Sequence, residues 1–399
     1  MTVSASVRAY PFGPAVRLEL DPLYAHLREN EPLTRVRLPY GDEAWLVLRY
    51  DDVRTVLADP RFSRAATVTR DVPRLHPDRV AGGLVDLDPP EHSRLRRLVA
   101  KAFTVRRVER LRARAEEVAA ELLDGLVAAG PPADLIEEFA VPLPGTVVCE
   151  LLGIPYGDRA EFRSWVDAFV STTALSGEKR RGYLGRLAAY LHGLATQRRE
   201  EPTDDLLGAL VLARDEDDSF TGDEIVDLAL LLLGAGYEST ATMIGNFAYT
   251  LLTRPERYEL LCTRPELIPG AVEELLRFIP SAPSAAALPR YATADVPLSG
   301  GIVRAGEPVL TAKAAANRDP RVFDDPERLD LTREPTSHLA FGHGVHHCVG
   351  AQLARMDLQV ALAALVDRLP SLRLAVPEDE LCWKSGLAVR GLVRLPVTW

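Results

Sequence analysis

The sequence predicts a mainly α-helical chain with small β-sheets, folded as a single large domain. Three observations predict it: apolar residues recur at helical spacing over most of the length, period-two alternation is confined to short stretches, and no break in composition divides the 399 residues. With 47 % hydrophobic residues, the chain can bury a large core. Its longest uninterrupted aliphatic run, Leu228 to Leu233, is far short of the about 20 residues that cross a bilayer. The N-terminus shows no charged segment followed by an apolar one, so a soluble, cytoplasmic chain with no membrane contact is expected. Four cysteines without paired spacing suit a reducing compartment. A net charge of −10 argues against nucleic acid as a partner.

Taken in order, Leu33 to Leu38 and Ala44 to Arg49 alternate and are joined by Pro39-Tyr40-Gly41-Asp42, which predicts a hairpin and a small β region at about residues 33–49. Helical periodicity then predicts helices over Asp51 to Ala58, Glu91 to Ala102, Val108 to Ala129, Val147 to Leu152, Asp158 to Thr173, Lys179 to Arg199 and Asp204 to Ala213. Further helices are expected from Asp223 to Thr253, from Ala271 to Ile279 and after Gly350. Leu288 to Val309, rich in Val, Gly and Pro, reads as short strands.

The stretch that carries chemistry is Phe341-Gly342-His343-Gly344-Val345-His346-His347-Cys348-Val349-Gly350. Its glycines let backbone approach a metal–sulfur bond, and Phe341 can pack beside the sulfur. Cys348 precedes the expected final helix, whose positive N-terminal end favours a thiolate. His343, His346, His347 and Cys348 also invite a zinc reading, but structural zinc sites draw two ligand pairs separated by a loop, and Cys149, Cys262 and Cys382 stand alone. A purely structural Cys348 is the remaining bland reading.

This loop resembles the cysteine-ligand loop of the cytochrome P450 family, and the resemblance extends over essentially the whole chain. It implies the cytochrome P450 fold and haem b, with Cys348 as the axial thiolate ligand of the iron, a ligand that favours O–O cleavage. Phe341, Gly342 and Gly350 would line the cofactor beside it. The resemblance assigns His92 and Arg96, four apart on one helix face, together with Arg290 and His346, to the haem propionates, where charge-assisted hydrogen bonds neutralise buried carboxylates. Glu274, Arg277 and Arg328 would form a buried ionic cluster bracing the cysteine loop.

On the long helix from Asp223, Gly234-Ala235-Gly236 suggests either close approach of a flat group or a local opening of the helix. By resemblance Ala235 lies against the haem, Glu238 is the acid of a proton relay, and Ser239 with Thr240 supplies the alcohol. The family more often has threonine where Ser239 stands; serine keeps the hydroxyl and loses the stiffness of β-branching.

The implied activity is that of a monooxygenase using O2 on a small-molecule substrate, with hydroxylation or epoxidation as a tailoring step of bacterial natural-product biosynthesis. Radical escape would instead give oxidative coupling, and a non-catalytic haem sensor is the reading from another class. Electrons would come from a ferredoxin and a ferredoxin reductase, and the chain is expected to act as a monomer. From Arg94 to Arg114, nine basic residues face one acid, Glu109, which suggests a docking patch for an acidic partner. The resemblance places pocket walls at Arg64 to Val85, Phe169 to Ser176, Gly234 to Thr240, Pro283 to Leu288 and Gly386 to Val389.

Overall fold

The computed structural model describes the chain apart from residues 1–6, 76, 78–82, 103–104, 159–160, 163–164, 166–176, 217–220, 283–284, 286–287 and 385–388. The expected helix Asp158 to Thr173 and the expected pocket walls at Phe169 to Ser176, Pro283 to Leu288 and Gly386 to Val389 lie wholly or largely outside these described residues. The described chain divides into two compact units: Met1–Leu95 with Glu273–Cys348, and Arg96–Val272 with Val349–Trp399. Each unit is assembled from two distant stretches, so no local shift of composition marks its edge.

The first unit is built on a six-stranded sheet in the order Arg8–Ala9, Leu33–Arg37, Ala44–Val47, Pro308–Thr311, Arg290–Ala292, Phe62–Ser63. The expected hairpin forms in antiparallel register, Leu33 opposite Val47 and Val36 opposite Ala44. Ala44–Val47 then pairs in parallel with Pro308–Thr311. Polar residues pin that junction: Glu307 accepts from the Trp45 indole at 2.7 Å and pairs with Arg35 at 2.6 Å, while the Arg35 guanidinium lies 4.3 Å from the Trp45 ring centroid. Val47, Val53, Val56, Phe62, Val309 and Phe323 form one apolar core on this frame.

Leu23–Asn30 is a helix that hydrophobic periodicity does not reveal. One of its buried side chains is Arg28, which donates to the Ala315 carbonyl at 2.8 Å, so a polar letter occupies a core-facing position. The Glu274–Arg277 pair is buried as expected, 2.7 Å apart. The third member differs from expectation: Arg333, not Arg328, pairs with Glu274 at 3.2 Å, and Arg328 contributes its carbonyl to Arg277 while its side chain is exposed. Asn317 links this cluster onward, offering its carbonyl to Arg277 and its Oδ1 to the Leu339 amide at 2.7 Å.

The second unit is helical around Gly222–Leu252, which packs against Pro142–Leu152, Gly177–Glu200 and Ala351–Arg368, with Val105–Ala129 covering the last of these. Thr221 and Glu224 form a reciprocal capping box that fixes where the long helix starts. This helix is long and apolar enough to cross a bilayer by length and composition, yet 67 % of its most apolar stretch is buried inside the protein. A three-stranded antiparallel sheet, in the order Arg373–Leu374, Pro396–Thr398, Ala133–Asp134, closes the unit. These two- and three-residue strands are too short for alternation to announce.

Candidate active site

In the first unit, the Cys348 amide donates to the Phe341 carbonyl at 2.8 Å, closing the loop that the sequence singles out. Gly344 holds φ at +70°, and a Cβ there would stand 2.5 Å from the Leu57 carbonyl oxygen, so only glycine keeps the loop seated on the Tyr50–Ala58 helix. Gly342 is likewise left-handed, at +74°. The Phe341 ring lies between His338 and His347, with centroids at 6.0 and 6.5 Å. Gly350 caps the helix that starts at Ala351. The Cys348 sulfur belongs to an exposed residue at the open end of the loop.

Beside the loop, basic groups converge. The rings of His92 and His346 lie 4.3 Å apart, and His92 and Arg290 are buried. Burial holds the His346 imidazole down at about 3, reinforced by His92, Arg290 and Arg64, so it is neutral at physiological pH. Its Nε2 is buried without a hydrogen-bond partner. Desolvation, and then Arg64, lowers Arg290 to about 10.

Two members of this cluster carry no motif. Arg64 is buried against Asp86 at 2.5 Å and donates to the Val85 carbonyl at 2.8 Å. Lys313, at the start of a short helix, is lowered by burial first and then by Arg290, with Cys348 opposing. Arg96 lies one helical turn beyond His92, half-buried, and falls in the second unit.

In the second unit, Ala235, Glu238, Ser239 and Thr240 follow one another along an unbroken α-helix. No opening of the helix occurs at Gly234-Ala235-Gly236. Glu238 is buried, and its Oε1 accepts from the Thr242 hydroxyl at 3.2 Å and from Lys384 Nζ at 2.6 Å. Ser239 turns its hydroxyl back onto the Ala235 carbonyl one turn earlier, a local bond open to any helical serine. Thr240 is buried and Ala235 exposed. Nothing local to the Glu238 sequence signals Lys384, which lies 146 residues away.

A family model described as Cytochrome P450 matches residues 265–389. The mycinamicin IV hydroxylase/epoxidase of Micromonospora griseorubida is 55 % identical over 396 residues, covering 99 % of this chain and 100 % of that protein. The chain belongs to the cytochrome P450 family. The nocardicin C N-oxygenase of Nocardia uniformis subsp. tsuyamanensis is 52 % identical, covering 98 % of both chains. Among solved structures, the mixed-function P450 MycG superposes with a TM-score of 0.94 at 55 % identity, covering 99 % of this chain and 100 % of that one. A cytochrome P450mel 107F1 with biaryl coupling reactivity superposes with a TM-score of 0.92 at 42 % identity, with coverage of 99 % and 100 %.

As a P450 monooxygenase, the protein carries haem whose iron is held by a cysteine thiolate, acts on a small molecule with O2, and takes electrons from redox partners. The residues present suit that group. Buried Arg290 supplies a cation, and the orphaned His346 Nε2 beside His92 a ring nitrogen free to hydrogen-bond, which is what a carboxylate partner requires. Among the described residues no three His, Cys, Asp or Glu side chains converge as a metal-binding set.

The basic stretch from Arg94 to Arg114 is less available to a partner than its sequence suggests. Arg107 and Arg110 both pair with Asp204, at 2.9 and 2.8 Å, and Arg112 pairs with Glu109 at 3.2 Å. Arg114 pairs with Glu117 and Glu150, each at 3.1 Å. Most of these acids lie outside the window, so counting charge within it overstates the patch.

Proposed function

We propose that Cys348 is the haem ligand and that His92, Arg96, Arg290 and His346 meet the propionates, with Phe341, Gly342 and Gly350 shaping the loop around the sulfur. Bound haem supplies oxygen activation, placing one oxygen atom of O2 on the substrate and releasing the other as water with two electrons and two protons. Ala235 offers a small, exposed surface on the long helix against which a flat group can lie. Glu238 holds and passes protons, and the hydroxyls of Ser239 and Thr240 carry them on.

The reaction we infer is hydroxylation or epoxidation of a natural-product scaffold. The similarity to the mycinamicin IV hydroxylase/epoxidase over nearly the whole chain carries this reading. Oxidative coupling is the second reading. It is favoured by the Ser239 hydroxyl being engaged by the Ala235 carbonyl, a looser starting point for proton delivery, and by the similarity to a P450 with biaryl coupling reactivity. We place the enzyme in the cytoplasm as a monomer.

The reduced protein exposed to carbon monoxide is expected to show a strongly red-shifted Soret band that Cys348→Ser abolishes. An unshifted band in the parent protein would overturn the assignment. Mycinamicin IV, tested by spin-state change on binding and by product analysis, separates hydroxylation or epoxidation from coupling.

A ferredoxin is the electron donor we infer, docking on what remains of the basic stretch. Replacing Asp204 by asparagine releases Arg107 and Arg110 from their shared acid. The association rate with an acidic ferredoxin should then rise about two- to tenfold at low ionic strength, with a steeper salt dependence. Stopped-flow reduction at two salt concentrations checks this; identical rates for both proteins would remove the patch from the docking surface.

A further inference from the structure

Glu238 does not stand alone on its helix. The residues that follow it at helical spacing, Thr242, Asn246 and Tyr249, all meet the C-terminal segment from Glu378 to Arg390 and its return strand. Trp383 bridges to Leu392, and the Lys384 amide donates to the Gly391 carbonyl at 2.8 Å, so residues 382–384 and 391–393 pair as the two arms of a hairpin. A Cβ at Gly391 would stand 2.5 Å from Thr242 Cγ2, which shows how closely the hairpin lies on the helix. Asn246 Nδ2 donates to the Arg390 carbonyl at 2.8 Å, and the Tyr249 ring meets Trp383 edge-on at 5.1 Å, with its hydroxyl on Glu378. The hairpin is therefore fixed along three turns of helix. It delivers one cation, Lys384, to Glu238 at 2.6 Å, with both side chains largely shielded from water.

We propose that Lys384 is the positioning residue of the proton relay: held by the hairpin, it sets the place of the Glu238 carboxylate. The proposal rests on Glu238 being the relay acid. Glu238 takes a proton from water, passes it to the hydroxyl chain, and returns as carboxylate to the ammonium, while Thr242 steadies the same oxygen. Glu238 is the carboxylate that the described Lys384 contacts provide, and a buried pair is little screened by salt.

The test uses haem-loaded protein without any substrate, supplied with NADH and with ferredoxin reductase and ferredoxin in amounts beyond which the rate no longer rises, so that O2 is reduced to peroxide or water and the supply of reduced ferredoxin does not limit the rate. Carbonyl spectra and thermal unfolding establish equal haem loading and folding for each variant. Lys384→Met is expected to slow NADH oxidation at least fivefold and at least double its solvent isotope effect, with Lys384→Arg within twofold of the parent. In a Glu238→Gln background, which carries no buried charge once Lys384→Met is added, that second change should alter the rate less than twofold. Parent-like rate and isotope effect in Lys384→Met overturn the proposal while leaving the relay intact, as does an equal loss in both backgrounds. If Glu238→Gln alone leaves the rate and isotope effect unchanged, the relay reading itself falls.

Discussion

Arg277→Ala is expected to cost on the order of 5 kcal/mol or more in folding stability, enough to leave little haem-loaded protein at physiological temperature. Arg277 is bidentate to Glu274, at 2.7 and 2.8 Å, and also donates to the carbonyls of Asn317, Pro326 and Arg328 at 2.8, 2.9 and 3.3 Å. Both members of the pair are almost wholly buried. Removing one partner of a buried pair costs about 3–5 kcal/mol because the other charge is left uncompensated. Each orphaned buried carbonyl adds about 1–3 kcal/mol. A domain holds only about 5–15 kcal/mol in total. Arg333 and the Asp330 amide still reach Glu274, at 3.2 and 2.9 Å, and moderate the loss without replacing the fork. Through Asn317 and Leu339 the damage runs into the cysteine loop. Arg277→Lys keeps the charge and loses the planar fork, so it should fall between. Urea unfolding of the holoprotein decides: a midpoint for Arg277→Ala within experimental scatter of the parent would show that the cluster is dispensable.

Asp357→Asn should act in the opposite direction. Asp357 lies on Ala351–Arg368, is 1 % exposed, and has a buried Oδ1 with no hydrogen-bond partner. Desolvation alone pushes its carboxyl up to about 8, so the folded protein holds it as the neutral acid at pH 7. The unfolded chain ionises it near pH 4. Between those values the folded state binds more protons than the unfolded one, and stability therefore falls as pH rises, by about 1.4 kcal/mol per unit. The penalty reaches roughly 4 kcal/mol at pH 7 and is nearly absent below pH 4. An asparagine at this position carries no such penalty, so the variant should gain several degrees in melting temperature at pH 7.5 and only about a quarter of that gain at pH 4.5. A gain independent of pH would mean that packing, not ionisation, governs the site.

Much of the candidate site was readable because its motifs are local. The cysteine loop, the Glu238 to Thr240 stretch and the His92-to-Arg96 spacing each announce themselves within ten residues. The long helices were readable for the same reason, down to the first turn of Gly222–Leu252. What escaped was built from distant pairs. Lys384 reaches Glu238 across 146 residues, Arg333 takes the place expected of Arg328, and Asp204 neutralises arginines nearly a hundred positions earlier. Arg28 and Lys313 were hidden differently: each is a charged letter, one at a buried and one at a half-buried place, which hydrophobic periodicity counts as solvent-facing. The two-residue strands Arg8–Ala9 and Phe62–Ser63 exist only because a neighbouring strand presents an edge to them.

The parallel pairing of Ala44–Val47 with Pro308–Thr311 also sets a timetable for synthesis. The hairpin leaves the ribosome early, but the strand that covers its open edge follows more than 250 residues later. At about 5–20 residues per second the wait is roughly 15–50 s. The helical unit is no quicker, since Ala351–Arg368 and Pro396–Thr398 belong to it and come last. The first unit cannot close before Cys348 is made and the second waits for residues beyond it, so the nascent chain must carry an unsealed β edge through most of its translation, the condition under which chaperone capture competes with misassembly.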